Sequence, residues 1–597
     1  MMMKDFKKKA ISVLVAIALI LIVGGIAFGG SLYNSMKSGE KMGFRSFLAI
    51  LYPDKYAYST EMADLNAYFG LSQADDVAII LQDELYEDQA KYSDGRVYFS
   101  MSTITKLFTN RFYYNETENT LIYARANDLV TVLLGGDNGY YVSTDINALG
   151  DFTPTDFPLA KRDNEGNVYI AADFLKNFAN FEYTYFADPG RVQVYTKWGT
   201  IRQSLVSENT NVRYQGGIKS NILRSVTKGE TVTVLEIMEN WTKVKTSDCM
   251  IGYIENKNLE DYVEVEQTPV NTAYQPAYDY DMGSEDDNIT MVFHQIYYTD
   301  DGSAFQELYA NTSGIDVVSP TWFYLDSSAG TFTSYASGDY VTTAHNKGVL
   351  VWPLIEDLTN EVDEYALFSS SANRRALINN LVNACVSSGV DGINIDFEKI
   401  GTQTGPHYVQ FLRELSIKAH QNGLVLSVDN YPRNEGNLYY NLKEQGYVAD
   451  YVIIMAYDEH WAGSEAGSVA SIDFTQQSVA NAIDEGVPAN KLICGIPFYT
   501  RIWRVEGAET NSEAVSMDSA ANWVRERGLM PAYQEETGQN YVSYQDGTAT
   551  YLLWMEDTDS VNARMSVLQQ YPIAGIAAWK LGLENSGVWP IINDYWE

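Results

Sequence analysis

The stretch Asp391-Gly392-Ile393-Asn394-Ile395-Asp396-Phe397-Glu398 has the residue types and the spacing to do chemistry. Side chains on a strand alternate between faces, so Asn394, Asp396 and Glu398 share one face while Ile393, Ile395 and Phe397 turn to the other and pack against apolar neighbours. Neighbouring carboxylates do not both ionise cheaply, so such a row at a strand end can keep one carboxyl protonated and the next ionised. That is equipment for general acid and base work. Asp391 has the opposite parity and reads as structural. The competing reading is an acidic strand end whose charges are merely solvated, and the elements around it have to decide.

Those elements are strand-like apolar runs with helical segments between them: Met291–Phe293, Val317–Ser319, Val349–Trp352, Gly392–Phe397, Leu424–Val428, Tyr451–Met455, Leu492–Ile496 and Ala574–Ala577. Residues 289–597 are long enough for a (β/α)8 TIM barrel with an insertion, and eight runs are what such a barrel needs. Between Ser371 and Gly389, the residues Leu377, Ile378, Leu381, Val382, Cys385 and Val386 recur at helical spacing, with Gly389 as the stop. This helix feeds directly into the Asp391 strand. In a barrel of this kind functional groups sit at the C-terminal strand ends. The sixth ends Met455-Ala456-Tyr457-Asp458, the seventh ends Gly495-Ile496-Pro497-Phe498-Tyr499-Thr500-Arg501, and the eighth ends at Trp579.

Asp-x-x-Asn-x-Asp-x-Glu, followed by Met-x-Tyr-Asp, Gly-x-Pro-x-Tyr-x-Arg and a late tryptophan, resembles glycoside hydrolase family 18, the chitinase-like enzymes. The family signature reads Asp-x-x-Asp-x-Asp-x-Glu, so this sequence departs at Asn394. Cleaving a glycosidic bond takes an acid for the leaving oxygen and a group that captures the developing cation at C1. The resemblance makes Glu398 that acid and the substrate's own 2-acetamido oxygen the capturing group. It implies that Asp396 orients the acetamide nitrogen, that Tyr457 hydrogen-bonds the acetamide group, and that Trp579 forms the floor beneath the sugar. Met455, Asp458, Tyr499, Arg501 and Asn394 are further substrate-binding candidates, with a structural role at the barrel rim as the alternative for Asp458, Tyr499 and Arg501. A neutral amide at 394 cannot repel Asp396, so an ionised Asp396 and a changed pH profile are expected. The surplus stretch from Ile502 to Tyr551 reads as an α+β insertion walling the cleft or as a long loop.

The rest of the chain supplies context. Among 597 residues, 78 acidic against 41 basic give a formal net charge of -37, which argues against nucleic acid or an anionic surface as the main partner and suits a neutral polymer. Cys249, Cys385 and Cys494 are widely spaced and read as buried apolar residues, and the five histidines show no ligand spacing, so neither metal nor cofactor is expected. At the N-terminus, Lys4, Lys7, Lys8 and Lys9 precede an apolar run from Ala10 to Gly30, long enough to span a bilayer with the remainder outside. A signal peptide cut near Ala27 to Ser31 is the alternative.

We therefore expect a tail and transmembrane helix over 1–35 and a juxtamembrane segment over 36–76. Over 77–198, two related strand–helix–hairpin segments, Val97–Tyr123 and Val168–Tyr195, resemble a copper amine oxidase N-terminal-like module, an α+β unit for which no copper is implied. Over 202–266, short β-rich runs separated by turns resemble a bacterial Src-homology-3-like small β-barrel, with Trp241 in its core. A linker over 267–288 precedes the catalytic region at 289–597. The expected function is a membrane-anchored, extracytoplasmic hydrolase of β-1,4 bonds at N-acetylglucosamine in peptidoglycan or chitin-type glycans. A silent carbohydrate-binding scaffold in the cell wall is the alternative; silent relatives usually lose the acid, which Glu398 supplies here.

Overall fold

The computed structural model describes residues 52–268 and 288–596, together with Leu48 and Tyr274. The expected membrane span at 10–30 and most of the 267–288 linker lie outside the described residues. Among the described residues no helix is long and apolar enough to cross a membrane. The chain divides into two units, Met1–Asn110 with Phe157–Gln275, and Arg111–Asp156 with Pro276–Glu597.

The first unit holds two seven-stranded sheets. One includes Asp76–Leu81, Glu84–Ser93, Arg96–Ser100, Val168–Ala171 and Arg191–Tyr195, the first and last of these pairing in parallel. The other runs from Thr200–Leu205 to Val263–Glu266. Its strands surround an apolar core that includes Val212, Leu223, Val232, Val244 and Ile254. Trp241, expected in this core, is half-buried instead. Strand alternation turns Thr242 and Val244 inward, which faces Trp241 outward against Gly216.

The two related segments part company. Glu182–Phe186 and Arg191–Tyr195 stay in the first unit, whereas Phe112–Asn115 and Thr120–Ala124 open a five-stranded antiparallel meander continued by Leu129–Leu133, Gly139–Ser143 and Asp151–Pro154 in the second. A local pattern specifies a hairpin, but the burial of its apolar face selects the partner. Tyr113, Ile122, Ala124, Leu129 and Ile146 join the apolar cluster of the large domain. Asn115 donates to the Ser369 carbonyl at 2.8 Å, and Arg374 reaches the Tyr113 hydroxyl at 3.3 Å. The stretch 77–198 is therefore not one body, and the copper amine oxidase-like reading stays a resemblance of its sequence.

The rest of the second unit is a closed parallel barrel. Its strands are β1 (Ile289–His294), β2 (Val317–Ser327), β3 (Leu350–Val351 continued by Leu354–Glu356), β4 (Gly392–Asp396), β5 (Val425–Asn430), β6 (Tyr451–Met455), β7 (Leu492–Pro497) and β8 (Gly575–Trp579). Each pairs in parallel with the next, and β8 pairs with β1 to close the ring. All eight expected runs are strands. A helix follows each: α1 (Ser303–Tyr309), α2 (Gly338–His345), α3 (Ser371–Ser388), α4 (Gly405–Gln421), α5 (Leu442–Val448), α6 (Ile472–Glu485), α7 (Thr558–Leu568) and α8 (Val588–Trp596).

α3 shows why these segments fold as they do. Ser370 caps its start by accepting from the Asn373 amide, and Gly389, at φ 73°, ends it in the left-handed conformation that glycine adopts without a Cβ penalty. Leu377, Ile378, Leu381, Val382 and Cys385 are buried against the strands, while Val386 turns to solvent. Between β7 and α7 the chain forms a five-stranded antiparallel sheet and the helix Met517–Glu526, closed over Ala520, Val524, Val542, Leu553 and Met555. This is the α+β insertion.

Candidate active site

On β4, Ile393 and Ile395 point outward into the layer of helices, and Phe397 continues the pattern beside Phe368 with ring centroids 5.7 Å apart. That packing fixes the strand and drives Asn394 and Asp396 inward. Asp391, at the strand's entry, accepts from the Val351 amide at 2.8 Å and lies 2.8 Å from His345 Nε2, the structural role its parity implies.

At the C-terminal mouth of the barrel lies a cavity of about 370 Å3. Glu398, Asp396, Tyr457, Trp579, Met455, Asp458 and Tyr499 all line it. Trp579 leans on Phe293, with ring centroids 5.3 Å apart, where both line the cavity. Tyr499 donates to Asp458 Oδ1 at 2.6 Å. Asp458 holds φ at 56°, a costly conformation for a residue other than glycine, and such strain is concentrated at functional sites. Two candidates sit back from the cavity. Arg501 lies 3.7 Å from Asp458 and donates to Ser512 in the insertion, so it steadies the rim. Asn394 is fully buried one layer below, accepting from Ser427 Oγ at 2.7 Å and donating to Asp429 Oδ2 at 2.6 Å.

Asp429 was not among the residues marked as candidates, and it changes the electrostatics. The registers Asn394↔Ser427 and Leu354↔Asn394, Glu356↔Asp396 bring Glu356, Asp396 and Asp429 side by side across β3, β4 and β5. Asp396 is pushed well above the usual carboxylate range, first by burial and then by the charge of Asp429, with Glu398, Asp357 and Glu356 adding to it. The neutral amide at Asn394 thus does not free Asp396 of a repelling neighbour, because Asp429 supplies one from the next strand. Glu398 is also raised, chiefly by burial, with Asp458 and Glu356 adding, while a hydrogen bond from the Tyr431 hydroxyl works in the opposite direction. A carboxyl raised in this way holds its proton more tightly than an ordinary glutamate, which suits it to donate.

Asp357 is a second residue that the sequence reading passed over. It accepts from the Glu398 amide at 2.9 Å and the Lys399 amide at 3.1 Å, tying the turn that carries Glu398 to the end of β3. Burial pushes its carboxyl up to about 7 against the pull of those two donors. Both Glu356 and Asp357 were missed because Pro353 interrupts the apolar run at Trp352, whereas the strand resumes beyond it. Asp429 carried a legible signal: Ser427 and Asp429 are inward-parity polar residues at the end of a barrel strand, the position where function is built.

The sequence profile of the glycosyl hydrolases family 18 matches residues 288–584, and that of the bacterial SH3 domain matches residues 208–260. The chain is similar to the uncharacterized glycosylase YvbX of Bacillus subtilis (strain 168), 24% identical over 311 residues covering 50% of this chain and 89% of that protein. It is 26% identical to the cortical fragment-lytic enzyme of the same organism over 267 residues, covering 42% of this chain and 61% of that one. It is 24% identical to chitinase 1 of Aphanocladium album over 277 residues, covering 42% and 65%.

Proposed function

From a chain that contains a glycosyl hydrolases family 18 domain over residues 288–584 and is a glycoside hydrolase, we propose a more specific activity: cleavage of β-1,4 bonds at N-acetylglucosamine, with retention, assisted by the substrate's acetamido group. The observation that carries this reading is the convergence of Glu398, Asp396, Tyr457 and Trp579 on one cavity from three different strand ends. The sugar rests on Trp579, where an apolar ring face meets the indole. Glu398, whose surroundings raise its proton affinity, donates to the leaving oxygen as the acetamido oxygen attacks C1. Asp396 accepts from the acetamide N–H and balances the positive oxazolinium, and the Tyr457 hydroxyl supports the acetamide group. Water then opens the oxazolinium, with Glu398 as base. Aiming fixed groups at the charge that develops is what makes this arrangement catalytic.

The bacterial SH3 domain and the lysine-led apolar run at 4–30 support a setting outside the cytoplasm, anchored to the membrane, with wall peptidoglycan as substrate ahead of chitin-type glycans. The test is reducing-end release by the full chain from purified peptidoglycan and from chito-oligomers side by side, with Glu398→Gln as control. Hydrolysis of an N-acetylated glycan, lost by about 100-fold or more in Glu398→Gln, is expected. Hydrolysis only of glycans that lack an acetamido group defeats the proposal. Fractionation of cells into membrane, wall and medium checks the anchoring.

A further inference from the structure

We propose that Asp429 is the third acid of this site, a positioning residue that shares one proton with Asp396, so that the buried pair bears a single negative charge when Asp396 faces the substrate's acetamide. The proposal deepens the reading of Asp396 just given and rests on it.

Three observations carry it. First, the β4–β5 register pairs Asn394 with Ser427 and Ile395 with Val428, so the next inward pair is Asp396 and Asp429. Adjacent strands are about 4.8 Å apart, which brings the two carboxyl groups within range of one another. Second, Asn394 is held from both sides. Ser427 donates to its oxygen, which turns its nitrogen to Asp429 and satisfies Oδ2 of that carboxyl. The amide does not bridge to Asp396; it orients Asp429. Third, Asp429 Oδ1 and Asp396 Oδ1 are both buried with no hydrogen-bond partner among the described residues. An ionised carboxylate only accepts, whereas a protonated one also donates. One proton between the pair turns two unsatisfied acceptors into a donor and an acceptor, which is how buried polar groups are normally arranged.

The groups that face Asp429 from the elements around it are acids and phenols: Asp396 and Glu398 at the end of β4, Tyr457 beyond β6 and Tyr408 from α4. None is a cation that would let both carboxylates ionise. At this spacing and an effective dielectric of about 20, like charges change each other's proton affinity by about several hundredfold, enough to separate two macroscopic ionisations that belong to the pair. When Asp396 turns to the acetamide N–H its proton passes to Asp429 Oδ1; when product leaves, the proton returns. The pair finishes with the proton it started with, and Asp429 makes no bond to the sugar.

The experiment uses the full chain with 13C-labelled aspartate carboxyls, infrared detection of protonated carboxyl groups near neutral pH, and kcat/KM against pH on a chromogenic chito-oligomer. In an Asp357→Asn background, which removes the other aspartate that holds a proton near neutral pH, the chain should show a protonated aspartate signal whose titration Asp429→Asn and Asp396→Asn each move to lower pH by about one unit or more and Glu398→Gln leaves in place. In the pH profile, Asp429→Asn should lose one ionisation on the alkaline side, extending activity by about one pH unit or more. The double variant Asn394→Asp with Asp429→Asn, which returns the acid to β4, should restore that ionisation. A merely structural role lowers the rate at every pH and leaves the profile's shape alone; that result, or a protonated signal whose titration Asp429→Asn does not move, overturns the proposal. If the wild type cleaves no N-acetylated glycan, the reading of the site fails, and the infrared arm still decides whether the proton is shared.

Discussion

Replacing Asp357 by asparagine tests the electrostatics of the site without touching a group that meets substrate. Asp357 is buried to 1% exposure, and its carboxyl rises from the ordinary 3.8 to about 7. The folded protein therefore holds this proton more tightly than the unfolded chain does. The stabilising contribution is fully present below about pH 4, is lost as pH rises toward 7, and is flat above. At about 1.4 kcal/mol per pH unit, the whole span corresponds to ~4 kcal/mol, of which ~3 falls between about pH 5 and 8. Asparagine keeps the shape and removes the titration. It also turns an N–H toward one of the two amides now bonded to the carboxyl, at a fixed cost of about 1–3 kcal/mol. Urea unfolding of the barrel, followed by tryptophan fluorescence between about pH 5 and 8, should show the variant less stable than wild type at the acid end and gaining on it by ~3 kcal/mol toward the alkaline end. Groups common to both proteins cancel in the comparison. Parallel stability curves would refute the reasoning, because they mean that Asp357 ionises as an exposed carboxylate does.

On the proposed mechanism, Tyr457→Phe removes a single hydrogen bond to the acetamide group as charge develops, so kcat should fall about tenfold with KM nearly unchanged. On the same reading Trp579→Ala removes the platform of the sugar, and kcat/KM on chito-oligomers should fall about 10–100-fold, mostly through KM. Asn394→Asp sets a carboxyl where the amide now donates to Asp429 at 2.6 Å; stability to urea should fall as pH rises, by more than in wild type, as a third buried acid is forced to ionise. Away from the cavity, Arg374 forms two bonds to Glu414, at 3.1 and 3.0 Å, and donates to the Phe368 carbonyl at 2.6 Å with no exposure. Arg374→Ala strands Glu414 and should cost about 3–5 kcal/mol in unfolding free energy.

The barrel was legible because each strand announces itself twice, as an apolar run and as the segment that follows a helix of known period. α3 is the clearest example, its cap, apolar stripe and terminal glycine all visible in one window. The meander at 111–156 was not legible for the opposite reason. Phe112–Asn115 and Thr120–Ala124 form the hairpin that their pattern predicts, yet nothing within the hairpin states that Tyr113 will be buried beside His407 and Arg374, hundreds of residues further on. Local pattern fixes pairing between neighbours, and long-range burial fixes the sheet to which they belong.

The site divides along the same line. Glu398, Asp396, Tyr457 and Trp579, which line one cavity, could be marked from sequence because each lies in a motif readable within its own strand. Asp429 was passed over although its inward parity at the end of β5 was readable, because what sets it beside Asp396 is the register of two strands, and the register is not written in either segment alone. This also changes how the departure at Asn394 is understood. Taken by itself, an amide in place of an acid removes a charge from the catalytic row. Taken with Asp429, it keeps the number of buried carboxylates and moves one sideways, with the amide turned into the donor that holds it in place. A neutral residue at 394 is then a condition of the arrangement, since a carboxylate there would repel Asp429 at the distance where the amide now binds it.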